Sequence, residues 1–229
     1  MLILSIDTSG EIFSVALLEN QIIRAEIFIN AGLNHSLLLL PTIKHIYEIT
    51  ELTLAQTDLF VCTVGPGSFT GLRVGVCTMK GLAMATGKSI VGISTLEALA
   101  ANAGSFNKNI CPIIDAKRGQ IFAAVYKTNE NSLPHLVGDE LLTDINLLLS
   151  STNNNTLFLG SGAIKYSYII RRTLPRSLFA PIHDCQIKAG IVGLLGLKKF
   201  QTGVKSDLLT LAPRYLHISE SEKNLESME

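Results

Sequence analysis

Apolar residues along this chain fall first into short runs and later into longer sets with helical spacing. Residues 2–7, 13–18 and 22–29 are apolar runs separated by Thr8-Ser9-Gly10 and Glu19-Asn20-Gln21, so they predict three strands joined by tight turns. A helix is predicted over 35–49, with Asn34 or Ser36 as its cap and Pro41 as a kink. A buried strand at 59–64 runs into a glycine-rich turn, then a helix to Thr86, a strand at 89–93 and a helix from Thr95 through Ala101. After a linker at 102–109 the order begins again. Strands are predicted at 111–115, 121–126 and 135–142, with a turn at Lys117-Arg118-Gly119, then a helix, a strand at 157–159 and a long helix over 186–200. Three strands followed by alternating helices and strands predict a sheet that is antiparallel first and parallel later. The repeat predicts two halves, 1–103 and 104–216, and the Ser/Glu-rich end, 217–229, reads as a polar flexible tail.

Charged residues make up only 17% of the chain while 47% are apolar, so surplus apolar surface must be hidden, and a protein partner is the obvious cover. The formal net charge is zero, without the basic field by which a chain grips nucleic acid alone. Any RNA is therefore expected to be held through another subunit. Cys62, Cys77, Cys111 and Cys185 lie in apolar stretches with no Cys-x-x-Cys pair, which reads as reduced core cysteine. With no basic leader and no apolar run near membrane length, the chain is expected to be cytoplasmic and without a membrane span.

The most informative stretch is Val64-Gly-Pro-Gly-Ser-Phe-Thr-Gly-Leu-Arg-Val-Gly75. A strand ending in glycines before a helix can present backbone N–H groups to an anion. Here, however, the third glycine falls one residue late for a dinucleotide turn, and Leu72-Arg73 replaces the Lys-Ser/Thr of a phosphate loop. A tight strand–helix turn is the plainer reading. Gly71 and Gly75 give the following helix a small-residue side suited to close approach, within the fold or at an interface. Leu37–Leu40 surround the 35–49 helix, so a sheet can bury only part of it and a partner or the next helix must cover the rest. That favours the interface. The five histidines have no metal-binding spacing, and Ser68 lacks a nucleophile elbow, which leaves a peptidase without chemistry. Asp7, with Ser9, and Asp115, with Arg118, stand at strand ends where an actin-like nucleotide hydrolase or kinase would need carboxylates. Solvated turn residues account for them more simply.

Four blocks resemble the TsaB family, a catalytically degenerate relative of the tRNA threonylcarbamoyltransferase TsaD. They are Ile3–Ser9, His35–Pro41, the Val64–Gly75 block, and Pro112–Gly119, with Ala212-Pro-Arg-Tyr-Leu216 near the end. Leu37 stands where the family commonly has an acidic residue, and His217 where it has Arg. The resemblance implies an α/β, actin/Hsp70-like (ASKHA) fold of two ribonuclease-H-like halves with mixed sheets. It implies a non-catalytic dimerisation subunit that supports TsaD, in company with the ATPase TsaE, in placing threonylcarbamoyl on adenosine 37 of tRNA. The chain would touch tRNA only indirectly, form a homodimer when alone, and carry no cofactor or metal of its own, with ATP or ADP confined to a subunit boundary. The partner surface would lie on the first two helices: His35, Leu37, Leu38, Leu40, Pro41, Ser68, Phe69, Gly71, Arg73, Val74, Gly75 and Thr78. A Gly75→Arg change is accordingly expected to block the partner without unfolding the chain.

Overall fold

The computed structural model describes residues 1–30, 32, 34–104, 106–128, 133–204 and 206–216. The predicted 217–229 tail, including His217, lies outside them. The chain divides into two units, one of residues 1–98 with 187–214 and one of 99–186 with the remainder.

In the first unit, β1 (Leu2–Asp7) pairs antiparallel with β2 (Ile12–Glu19), and β2 with β3 (Ile22–Asn30). Asn20 takes a left-handed φ of 55° in the β2–β3 turn, a conformation asparagine tolerates. On the other side of β1, β4 (Leu59–Gly65) and β5 (Ser89–Ser94) add in parallel, completing the order β3-β2-β1-β4-β5. The predicted change from antiparallel to parallel pairing is therefore present. Every residue of β1 is buried because both faces of the sheet are covered. On one face, α1 (His35–Thr50) and α2 (Phe69–Thr86) bring Leu39, Ile43, Ile46, Val76 and Met79 onto Leu4, Ile6, Phe13, Val15 and Phe60. α1 continues through Pro41, and Asn34 stands at its cap position without a side-chain hydrogen bond. α3 (Thr95–Ala101) follows β5.

The second unit repeats this order with β6 (Ile110–Lys117), β7 (Gln120–Lys127), β8 (His135–Asp144), β9 (Leu157–Leu159) and β10 (Leu178–Phe179), arranged β10-β9-β6-β7-β8. β6 through β8 are antiparallel, whereas β9 and β10 add in parallel. α4 (Ile145–Ser151), α5 (Ser161–Lys165) and α6 (Ser167–Thr173) supply Leu148, Ala163 and Ile170 to a core with Cys111, Ile113 and Phe158.

Two expectations need correction. The last helix, α7 (Ala189–Gln201), belongs to the first unit, so the second half does not run from 104 to 216. Its Gly193 sits against Leu18 and Ser5 and its Gly196 against Val61, where a Cβ would collide. Ser5 Oγ donates to the Ala189 carbonyl at 2.7 Å, and Glu26 accepts from the Gly190 amide at 2.8 Å. Glycines three apart thus let the returning helix lie flat on β1, β2 and β4. Cys77, expected in the core, is exposed on α2. Among the described residues no helix is long and apolar enough to cross a membrane.

Candidate functional site

Three of the sequence blocks meet at the turn after β1. Gly67 sits so close to Ser9 that a Cβ there would stand 2.5 Å from the Ser9 carbonyl oxygen. The Ser68 amide donates to that same oxygen at 2.7 Å. One turn into α2, a Cβ on Gly71 would overlap the Thr8 carbonyl, and one on Gly75 the Thr8 hydroxyl. The glycines therefore seat α2 directly on the Thr8-Ser9 turn, while Ser68 caps the helix by accepting from the Gly71 amide at 3.2 Å. The glycine block thus forms a tight strand–helix turn in which the glycines permit the close packing of α2.

His35 fixes α1 to the same place. Its ring is buried against Phe13, with centroids 5.5 Å apart, and hydrogen-bonds the backbone of Gly10. Burial pushes the imidazole pKa down, against the upward pull of that hydrogen bond.

Asp7 lies beneath the turn. It is not a solvated turn carboxylate, since only 1% of it is exposed. Its Oδ1 accepts from Thr63 Oγ1 at 2.6 Å and from the Ser9 amide at 3.2 Å. Burial raises its pKa to about 6, although the hydrogen bonds from Thr63 and Ser9 pull the other way. Asp115, at the end of β6, is also drawn in. Lys165 reaches both of its oxygens at 3.0 Å, and Lys117 stands at 3.7 Å. Burial alone would raise the Asp115 pKa, but Lys165 and then Lys117 hold it below the usual carboxylate value. Arg118 is exposed in the β6–β7 turn, where Lys117, Arg118 and Gly119 all take left-handed φ.

The expected partner surface separates into an inner and an outer set. His35, Gly71 and Gly75 are buried and present nothing to a partner, because they are the contacts that seat the helices. Ser68, Val74 and Thr78 are half-buried. Leu37 (72% exposed), Leu38, Leu40 (54%), Pro41, Phe69 (52%) and Arg73 face outward. The Arg73 guanidinium lies 3.8 Å over the Phe69 ring, forming a flat cation–aromatic pair on the first turns of α2. Ile49 and Met84 are also exposed, near the C-terminal ends of α1 and α2, and were not among the candidates. Met84 lies on the helix stripe that begins at Arg73 and passes through Cys77, so helical spacing could have found it.

Comparison with known proteins decides the family. The chain is 31% identical to the tRNA threonylcarbamoyladenosine biosynthesis protein TsaB of Bacillus subtilis, over 97% of this chain and 96% of that one. The chain belongs to the TsaB family. The TsaB protein of Escherichia coli is 34% identical over 59% of each chain. The family model for TsaD, tRNA N6-adenosine threonylcarbamoyltransferase, matches residues 29–189, linking the TsaB family to that transferase family. Among solved structures, YeaZ from Pseudomonas aeruginosa superposes with a TM-score of 0.79 at 23% identity, covering 94% of this chain and 99% of that one. ROK hexokinase from Thermus thermophilus superposes with a TM-score of 0.54 at 8% identity, covering 89% and 100%. These likenesses establish the actin/Hsp70-like fold.

Proposed function

We propose that this chain is a non-catalytic dimerisation subunit of the complex that places threonylcarbamoyl on adenosine 37 of tRNA, and that it supports a TsaD-like catalytic subunit. The observation that carries the reading is the outward apolar set Leu37, Leu38, Leu40, Phe69 and Met84 on α1 and α2. Clustered exposed apolar side chains on a helix face mark a protein–protein interaction site. The rigid seating of both helices on the Thr8–Gly10 turn presents it without a further ordering cost on binding.

The state of the carboxylates supports the non-catalytic part. Asp7 is buried and hydrogen-bonded to Thr63, and Asp115 is ion-paired to Lys165, so neither offers a free carboxylate to a metal-bound phosphate. ATP or ADP is accordingly expected only at a subunit boundary, where a TsaE-like ATPase joins. The relatives' role in a tRNA modification pathway supports a cytoplasmic location. In isolation the apolar helices are expected to cover one another in a homodimer.

The test is calorimetric binding of the purified TsaD-like subunit to a Leu37→Asp/Leu40→Asp variant. Because both side chains are exposed, folding should be retained, while affinity should fall about 30-fold or more, as for removal of hot-spot residues. Undiminished affinity of the folded variant would remove this surface from the assembly.

A further inference from the structure

Neutral net charge conceals an uneven distribution. Residues 145–183 contain no Asp or Glu but carry Lys165, Arg171, Arg172 and Arg176. Lys165 is taken up by Asp115. Among the described residues, none of the three arginines has a carboxylate within ion-pair reach. Arg171 and Arg172 project from the exposed side of α6, opposite the buried Ile170. Tyr168, three and four residues earlier on that side, is 74% exposed. The Arg171 guanidinium is stacked 4.1 Å from the centre of the Phe179 ring, which holds its plane while leaving its N–H edges open. Just past the helix, the Arg176 amide donates to Asn154 Oδ1 at 3.3 Å, placing Arg176 beside the exposed amides of Asn153, Asn154 and Asn155.

Cations at the end of a helix can simply complement its dipole. That explanation covers Arg171 and Arg172. It does not cover Arg176, an exposed tyrosine beside the pair, or the lack of any compensating acid. Planar cations with an exposed aromatic and exposed side-chain amides are instead the combination that takes phosphates, stacks on an unpaired base and reaches sugar or base edges. We propose that the α6–β10 face of the second unit is a direct RNA-binding surface, contacting about three backbone phosphates through Arg171, Arg172 and Arg176 and one base through Tyr168. Its chemistry rests on these side chains, whereas the choice of a tRNA as probe rests on the function proposed above. The indirect role expected from the neutral charge of the whole chain is replaced by a local, direct one.

The test is fluorescence-anisotropy titration of a tRNA transcript across a potassium chloride series, with the full chain alone and assembled with the TsaD-like subunit. For Arg171→Gln/Arg172→Gln/Arg176→Gln we expect at least a tenfold loss of affinity near physiological salt. The log–log salt slope should flatten by about 2, because each lost phosphate contact removes about 0.7–0.9. The triple lysine variant should restore the slope, which separates charge from damage to the fold. Tyr168→Ala should weaken binding without changing the slope. Unchanged affinity and slope in a folded glutamine variant would overturn the assignment. So would a glutamine variant that loses the TsaD-like subunit yet binds tRNA normally, since the face would then be a protein contact. If the parent chain failed to join that subunit at all, the function proposed above would fall, while the titration of the chain alone would still decide this surface.

Discussion

Asp7 combines a strand-end position with complete burial, and that combination sets how it titrates. Its folded-state pKa is about 6, against 3.8 for the ordinary side chain. The folded protein thus holds this proton more tightly than the unfolded chain. The associated stability is fully present below about pH 4 and is lost as pH rises through 6. For a fully buried carboxyl, a rise of this size corresponds to about 3 kcal/mol. His35 works in the opposite sense, because its lowered pKa favours the neutral ring and removes stability as pH falls through 6.5. The difference between the parent chain and Asp7→Asn isolates the Asp7 contribution, since the asparagine oxygen can still accept from Thr63 and Ser9. In urea unfolding, the variant should gain on the parent between pH 4 and pH 7, and parallel pH profiles would show that Asp7 does not carry its proton into the fold. Sequence could not reveal this burial. Asp7-Thr8-Ser9-Gly10 has the composition of a solvated turn, and the residues that meet it, Thr63 at Asp7 and Gly67, Gly71 and Gly75 at Thr8-Ser9, are distant in sequence.

At the scale of an element, α2 shows what the glycine block does. Gly75 faces inward onto Thr8, whereas Gly81, on the same helix, has open space where a Cβ would stand. Gly75→Ala should therefore destabilise by about 1–3 kcal/mol through overpacking, and Gly81→Ala should stabilise by about 0.5–1 kcal/mol through helix propensity. Chemical denaturation that showed both changes with the same sign would contradict this seating of α2. The expectation that Gly75→Arg would block a partner without unfolding the chain fails for the same reason, as Gly75 is not on the surface. The sequence made the glycines and their spacing visible, but a helix with small residues on one side does not say which side faces in. Leu37–Leu40 were more informative. Four consecutive leucines must leave some exposed, and the sheet buries Leu39 alone.

Across the whole molecule, the duplicated strand order was legible because each half repeats an antiparallel meander followed by parallel strands. The return of α7 to the first unit was not, because its apolar, glycine-containing sequence would suit either sheet. Only the match of Gly190, Gly193 and Gly196 to Ile23, Leu18 and Val61 decides it. Net charge is uninformative about local patches, since a total of zero averages the acid-free stretch 145–183 with acidic residues elsewhere.

On the function proposed above, this chain acts through its α1–α2 surface and performs no chemistry at Asp7. This is tested most directly by the threonylcarbamoyl-adenosine content of bulk tRNA, measured by nucleoside mass spectrometry in cells depleted of the chain and complemented with variants. The modified nucleoside should collapse on depletion, return with the parent chain and with Asp7→Asn, and stay low with Leu37→Asp/Leu40→Asp. A folded Asp7→Asn chain that failed to restore it would place chemistry at Asp7, and a surface variant that restored it fully would remove the α1–α2 surface from the function.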